Sequence, residues 1–421
     1  MSVKASHGSA ARFLAVVSVG VWACIPDLSS LTSGSGVADG GMDDSTSPGP
    51  DGAGDTGAVG QDSGGTLKDG SSDVVGAETG CAADVMTDSA NCGSCGHSCL
   101  GGMCKSGQCQ PITLATTSGA IGIAIDTTYV YFANTQSGTS GIYKVSKSST
   151  GPATPSPVET GNGYVNVQGL AADGTYVYWT NKTATGSIQR ALPTGQGLTT
   201  LVTGQNQPDW IAVTVNGANV VWTSQGNNQV SSTPVGSMNA TPTQLNTMGE
   251  LGTLPAGIAI DSTTVYYATK TSGGGEAESV PLTGGQVSPL GAATYVGITV
   301  DNDNVYWTGG FANPIVSQNV KGGNPSTVQI IASGGSLTCP LHLVSDGNNV
   351  YFFDQGTTVG DGGGTIVAGA GALYRVPVGN SGPLPPPLLS GLTDPQAIAQ
   401  DATAIYWVTG GVSGAVMKLA K

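Results

Sequence analysis

Histidine is scarce in this chain, with three residues in 421 and only His342 beyond Pro111. Acid–base and metal centres draw heavily on imidazole, so a site built on several histidines is excluded there. Charge is also sparse at 10% of residues, too little for a helical protein, and the basic side chains number 13 against 27 acidic ones. A net charge of -14 repels polyanions, which sets aside nucleic acid and anionic membrane surfaces as partners. The one long apolar run near the start, Phe13 to Ala23, falls short of the roughly 20 residues that a membrane-spanning helix needs. What is abundant is glycine, at 67 residues, together with threonine, serine and valine, while the hydrophobic share is 38%. That composition suits many short strands joined by tight turns around a modest core.

Lys4 and Arg12 precede the apolar run, and Cys24 follows it at once, so residues 1–23 read as a secretory signal. The Ala23-Cys24 junction resembles a bacterial lipoprotein signal, in which the cysteine is lipidated and becomes the new N-terminus. Val21 and Trp22 depart from that pattern, and an ordinary cleaved signal is the alternative. The resemblance implies lipidation at Cys24, membrane contact only through that N-terminal anchor, and a place at the bacterial outer membrane or cell surface. Without the lipid the expected place is the periplasm or the medium. Between Ile25 and Gly80 lie ten acidic residues against Lys68 alone, with almost no aliphatic cluster to offset ordering entropy. Residues 24–80 are therefore expected to be a disordered, acidic tether. Asp51-Gly52-Ala53-Gly54-Asp55 lacks the period and the bidentate glutamate of a calcium loop, so no metal is expected there.

Six of the eight cysteines, Cys81, Cys92, Cys95, Cys99, Cys104 and Cys109, crowd into residues 81–110. An even number in an exported segment implies disulfides. With only Val85, Met86, Leu100 and Met103 to bury, the segment needs them to hold a shape. Fifteen pairings are open. A zinc site using Cys92, Cys95, His97, Cys99 or Cys104 is the competing reading, disfavoured by irregular spacing and an oxidising compartment; His97 is then an exposed loop residue. The run Asn91 to Cys99, followed by Gly102-Met103-Cys104 and Gly107-Gln108-Cys109, resembles the stigma-specific cysteine-rich module. It implies an extracellular disulfide knot and no activity.

After Pro111 one pattern recurs seven times at intervals of 40 to 55 residues: a short apolar strand, an acidic turn and an aromatic strand. The turns carry Asp126, Asp173, Asn216, Asp261, Asp301, Asp346 and Asp401, each five residues before Tyr131, Tyr178, Val221, Tyr266, Tyr306, Tyr351 or Tyr406. Each unit supplies two further strands, and four antiparallel strands per repeat predict an all-β, seven-bladed propeller over residues 111–421. The seventh unit ends after its third strand, whereas Ile112 to Thr117 stand before the first unit as a spare fourth. Their pairing is expected to close the ring and leave no open edge. Small residues such as Gly122, Gly169 and Gly257 are expected where the innermost backbones converge. Phe132, Trp179, Trp222, Tyr267, Trp307, Phe352 and Trp407 are expected between blades. Segments such as Val177-Tyr-Trp-Thr180 and Val305-Tyr-Trp-Thr308 resemble the YWTD and NHL classes of propeller, although the Tyr-Trp-Thr-Asp tetrapeptide is never completed. The resemblance implies the fold and leaves function open.

Propellers bind at the mouth of the central channel, and the segments entering the inner strands place Gln168, Asp209, Trp210, Tyr295, His342, Asp394 and Gln396 there. His342 stands where other repeats carry Gly or Ala, while Trp210 and Tyr295 suit stacking on sugars or peptide groups. No catalytic residue and no cofactor is assigned. The leading expectation is a monomeric, non-catalytic propeller that binds a protein, peptide or glycan. The alternatives are an extracellular hydrolase or lyase working at the mouth, and a purely structural envelope protein. Mouth carboxylates gathered with His342 around one point would favour catalysis, whereas a mouth plugged by side chains would favour the structural reading.

Overall fold

The computed structural model describes residues 83–421 except Ser137 and residues 162–165, 247–253, 271–273, 294–296, 310–313, 336 and 359–364. Seven four-stranded antiparallel sheets follow one another along the chain. The first blade shows the plan, with strands Ala120–Ile125, Tyr129–Asn134, Gly141–Ser146 and Ser156–Thr160 running from the axis outward. The inner strands of the other blades are Val167–Ala172, Pro208–Val213, Leu254–Ile260, Ile298–Val300, Pro340–Ser345 and Pro395–Gln400. Each inner strand packs against the next, and the seventh packs against the first, so the ring is closed. Ile112–Thr116 supplies the outer strand of blade seven, pairing antiparallel with Ala415–Ala420 through Ile112 with Lys418 and Thr116 with Ala415.

Burial along the strands follows from this stacking. The inner strand Ala120–Ile125 alternates between buried and half-buried residues, with a neighbouring blade packed on each side of it. The second strand Tyr129–Asn134 is buried almost throughout, because neighbouring blades cover both of its faces. Its Tyr131 packs with Trp179 of blade two, while Phe132 packs with Tyr406 of blade seven. Tyr178 with Trp222, Tyr266 with Trp307, and Tyr306 with Phe352 repeat the arrangement. The core is therefore a circle of interblade layers, each holding an aromatic side chain worth several kcal/mol of burial, on the order of 3 to 5 if truncated.

The turn aspartates do more than cap. Asp301 accepts the backbone N–H groups of Asp303 and Asn304 at 3.0 and 2.9 Å, and its second oxygen takes the Tyr306 hydroxyl at 2.7 Å. Asp126, Asp173, Asp261 and Asp401 do the same with Tyr131, Tyr178, Tyr266 and Tyr406. Blade three changes both partners together: Asn216 stands where no tyrosine follows, since the matching residue is Val221. With no tyrosine hydroxyl to accept, the neutral amide takes the Ala218 N–H at 3.1 Å and the Thr214 hydroxyl at 2.8 Å through its one oxygen.

The inner strands come as close as the small residues require. A Cβ on Gly169 would lie 2.5 Å from the Asp209 carbonyl oxygen and 2.8 Å from the Ile211 nitrogen of the next blade. A threonine from the second strand spans the same gap: Thr180 Oγ1 accepts the Gly169 N–H at 2.9 Å and donates to the Asp209 carbonyl at 2.6 Å. Thr223 makes the equivalent link from Trp210 N–H to the Ala256 carbonyl, both at 3.1 Å.

Ahead of the ring, disulfides join Cys92 to Cys104 and Cys99 to Cys109 around the small hairpin Cys104–Lys105 and Gln108–Cys109. The sulfurs of Cys92, Cys99 and Cys109 lie within 4.8 Å of one another, a grouping those two bonds explain without a metal. Cys95 is exposed; Cys24 and Cys81 lie outside the described residues. The module is not a bead on a string, since its three buried cysteines pack with Phe353, Trp407 and Leu419 of blades six and seven. His97, expected as an exposed loop residue, is instead half-buried between the Cys92 carbonyl at 2.5 Å and the Lys421 carbonyl. Among the described residues no helix is long and apolar enough to cross a membrane.

Candidate functional site

At the mouth end, the inner strands are interrupted by β-bulges. Pairing skips between Val167 and Leu170, Pro208 and Ile211, Leu341 and Leu343, and Pro395 and Ala397. Bulges re-aim side chains that a regular ladder would bury or splay. Gln168, Asp209, Trp210, His342 and Gln396 all sit in these interruptions. Backbone strain gathers at the same end, where Gln207, His342 and Asp394 take left-handed φ values of 52°, 27° and 49°. Such conformations cost non-glycine residues energy and persist where the surroundings hold them.

Trp210 belongs to blade three and His342 to blade six, yet their ring centroids lie 5.0 Å apart at an interplanar angle of 40°. Two blades separate them on one side and three on the other, so this contact crosses the axis and closes the channel at that level. Ala256 of blade four and Leu341 and Cys339 of blade six pack with Trp210 beneath it. Cys339 is fully buried and disulfide-bonded, so it offers no thiol nucleophile. Burial, with help from the positive charge of Lys270, depresses the His342 imidazole to about 4. His342 is therefore neutral at ordinary pH, and it meets Trp210 as an uncharged ring.

Asp209 is entirely buried. Lys182 Nζ lies 3.2 Å from one carboxylate oxygen, and Gln225 Nε2 donates to the other at 2.5 Å. Burial pushes its carboxyl upward, while Lys182 and Lys270 pull against that shift. The same burial lowers Lys270 against the raising effect of Asp209. On the far side, Asp394 accepts from Gln355 Nε2 at 3.3 Å and from Gln396 Nε2. Asp354, buried beside it, accepts the Cys339 N–H at 2.6 Å and the Thr338 hydroxyl at 2.9 Å.

The structure thus brings Trp210 and His342 together and pairs Asp394 with Gln396. Asp209 and Asp394 are each held by separate partners. Gln168 is half-buried in its bulge, and Tyr295 lies outside the described residues. Sequence reasoning missed Lys182, Gln225, Lys270 and Gln355, which hold the mouth's charges. All four sit at one register, two residues beyond Thr180, Thr223, Ala268 or Phe353 of the second strand. Aligning the repeats past the aromatic strand would have exposed this row of long polar side chains.

No family model matches the sequence, and no curated protein matches it either. Among solved structures, that of U3-55K is similar at a TM-score of 0.55 with 10% identity, covering 74% of this chain and 98% of that one. The RRP9 WD40 repeats are similar at 0.54 with 9% identity, covering 74% and 97%. At such identities the likeness bears on the fold alone, and this chain's own sheets and disulfides make it a seven-bladed β-propeller carrying a small disulfide-containing N-terminal module.

Proposed function

We propose that this chain is an exported, non-catalytic binding propeller, displayed at the bacterial cell envelope, that engages a protein, peptide or glycan through the face around Trp210 and His342. Gln168, Asp394 and Gln396 would rim that face, with Asp209 buried behind it, while Tyr295, expected there from the sequence, lies outside the described residues. The observation that carries the reading is the Trp210–His342 contact across the axis. It leaves a broad face with a neutral aromatic centre, while the nearby carboxylates are committed to Lys182, Gln225, Gln355 and Gln396. General acid–base work needs a titratable group within reach of substrate, and here the imidazole is packed, neutral, against the Trp210 ring. Strained backbone at the same end supports a face kept for recognition.

The proposal includes the address. Residues 1–23 would be removed, Cys24 lipidated, 24–80 would act as the tether, 81–110 as a module of stigma-specific type, and 111–421 as a monomeric propeller of YWTD or NHL type. The Asp-to-Tyr ties of the turns support the last of these. The test uses the full chain. Intact mass of the native membrane fraction should show loss of 23 residues and a gain of acyl mass. Among the ligands that glycan and peptide arrays report, at least one should be lost with both Trp210→Ala and His342→Ala; arrays on which every ligand survives both variants remove the site. A second reading, a structural envelope component, draws support from the same plugged axis, and it predicts no ligand on either array.

A further inference from the structure

A cavity of about 560 Å³ opens at the seam where the ring closes, at the same end as the mouth but lined by other residues and reaching out to Tyr143 and Pro155 of blade one. Its walls come from three places. Thr116, Thr117 and Ser118 run out of the strand that completes blade seven, Val412 to Gly414 form that blade's last turn, and Phe132, Asn134, Thr139, Tyr143 and Pro155 belong to blade one. The volume lies in the range of small-ligand sites.

The lining has a distinctive chemistry. Among the described residues no charged side chain lines it, so these walls offer a phosphate, a carboxylate or a cation no counter-charge. Hydroxyl groups of Thr116, Thr117, Ser118, Thr139 and Ser413 supply donors and acceptors in both senses. The Asn134 amide is buried and reaches the Thr117 and Thr139 hydroxyls only at 3.4 and 3.3 Å, long contacts that a better acceptor would displace. Its oxygen is fixed by the Gln136 N–H at 2.9 Å, which leaves the NH₂ end aimed at those hydroxyls. One wall is aromatic: Phe132 and Tyr143 stack at 5.8 Å and 22°, with Tyr143 the half-exposed member and its hydroxyl tied to the Thr139 carbonyl at 3.0 Å. An aromatic plane beside a field of uncharged hydroxyl and amide groups matches a ligand with a C–H face and many hydroxyls.

We infer that the seam between blades seven and one is a binding site for a neutral saccharide, with the Tyr143 ring as stacking platform and Thr139 and Asn134 as polar contacts. The site shares no residue with the mouth and stands or falls separately from it. The full chain is titrated calorimetrically with hexamers of maltose, cellulose, chitin and mannan type, and with a hexagalacturonate as the charged counterpart. The expected result is binding of at least one neutral hexamer, weakened roughly tenfold or more by Tyr143→Ala, as loss of an aromatic platform implies. Thr139→Ala, at an exposed position where the fold should be kept, is expected to weaken it about threefold through one lost hydrogen bond. Trp210→Ala leaves this affinity unchanged, which separates the seam from the mouth. The inference is overturned by silence from all four neutral hexamers, by equal binding of the uronate, or by affinity that Trp210→Ala removes. Should Tyr143→Ala fail to fold, affinity unaltered by Thr139→Ala overturns it as well.

Discussion

At the turn end of the ring, blade after blade repeats one arrangement, an aspartate accepting two backbone N–H groups and a tyrosine hydroxyl. At the mouth end the blades offer different groups, Gln168, Asp209 with Trp210, His342, and Asp394 with Gln396, and these meet partners from distant blades. The difference teaches where each kind of information lies. A turn is satisfied by residues within five positions of one another, so the same solution can recur in every repeat. A mouth is shared by all blades at once, so each blade can contribute something different and the result depends on which faces which.

The comparison can be broken first through what both ends rest upon. Truncating an interblade aromatic, Trp179→Ala, should cost about 3 to 5 kcal/mol and destabilise both ends together, read as a drop in the urea midpoint and in mouth binding. Asp401→Ala comes next. It strips Lys147 and the Tyr406 hydroxyl of their acceptor and should cost about 2 to 3 kcal/mol. Binding by the folded fraction should be unaffected, because the loss is at the opposite end.

Acid should separate the two ends by pH. Burial would raise Asp261, but the N–H groups of Thr263 and Thr264, Lys321 and the Tyr266 hydroxyl outweigh it and hold the carboxyl at about 2. An unfolded aspartate titrates near 3.9, so this stabilisation is complete above roughly pH 4 and is lost as pH falls through 2. Asp301, Asp346 and Asp401 shift in the same direction. His342, at about 4, lies below the roughly 6.5 of a free histidine. The unfolded chain therefore takes up that proton first, and stability is lost between about pH 6.5 and 4. A melting temperature followed against pH should fall in two stages, and His342→Phe should erase the upper stage and keep the lower. The smallest effect is expected at Gln168→Ala, within about 0.5 kcal/mol of stability, with mouth binding weakened.

Much of the architecture is readable in the residues. The spacing of Asp301 from Tyr306, the burial of Trp307 and the pairing of Ile112 with Lys418 all follow from a pattern repeated at short range and from one strand too many at the start. Even the threonine links could have been read, since Thr180, Thr223 and Thr308 share one register. The packing of His97 and the three buried cysteines against blades six and seven could not, because nothing near His97 in sequence signals a partner more than 300 positions away.

By itself, the order of residues determined the number of blades, the closing strand and the acidic turns, since each depends on contacts within a repeat or on counting repeats. Only the tertiary structure decided that Trp210 meets His342, that Lys182 and Gln225 hold Asp209, and that a neutral cleft opens at the seam. Those are relations between blades, set by ring closure and by the bulges that turn each side chain toward or away from the axis.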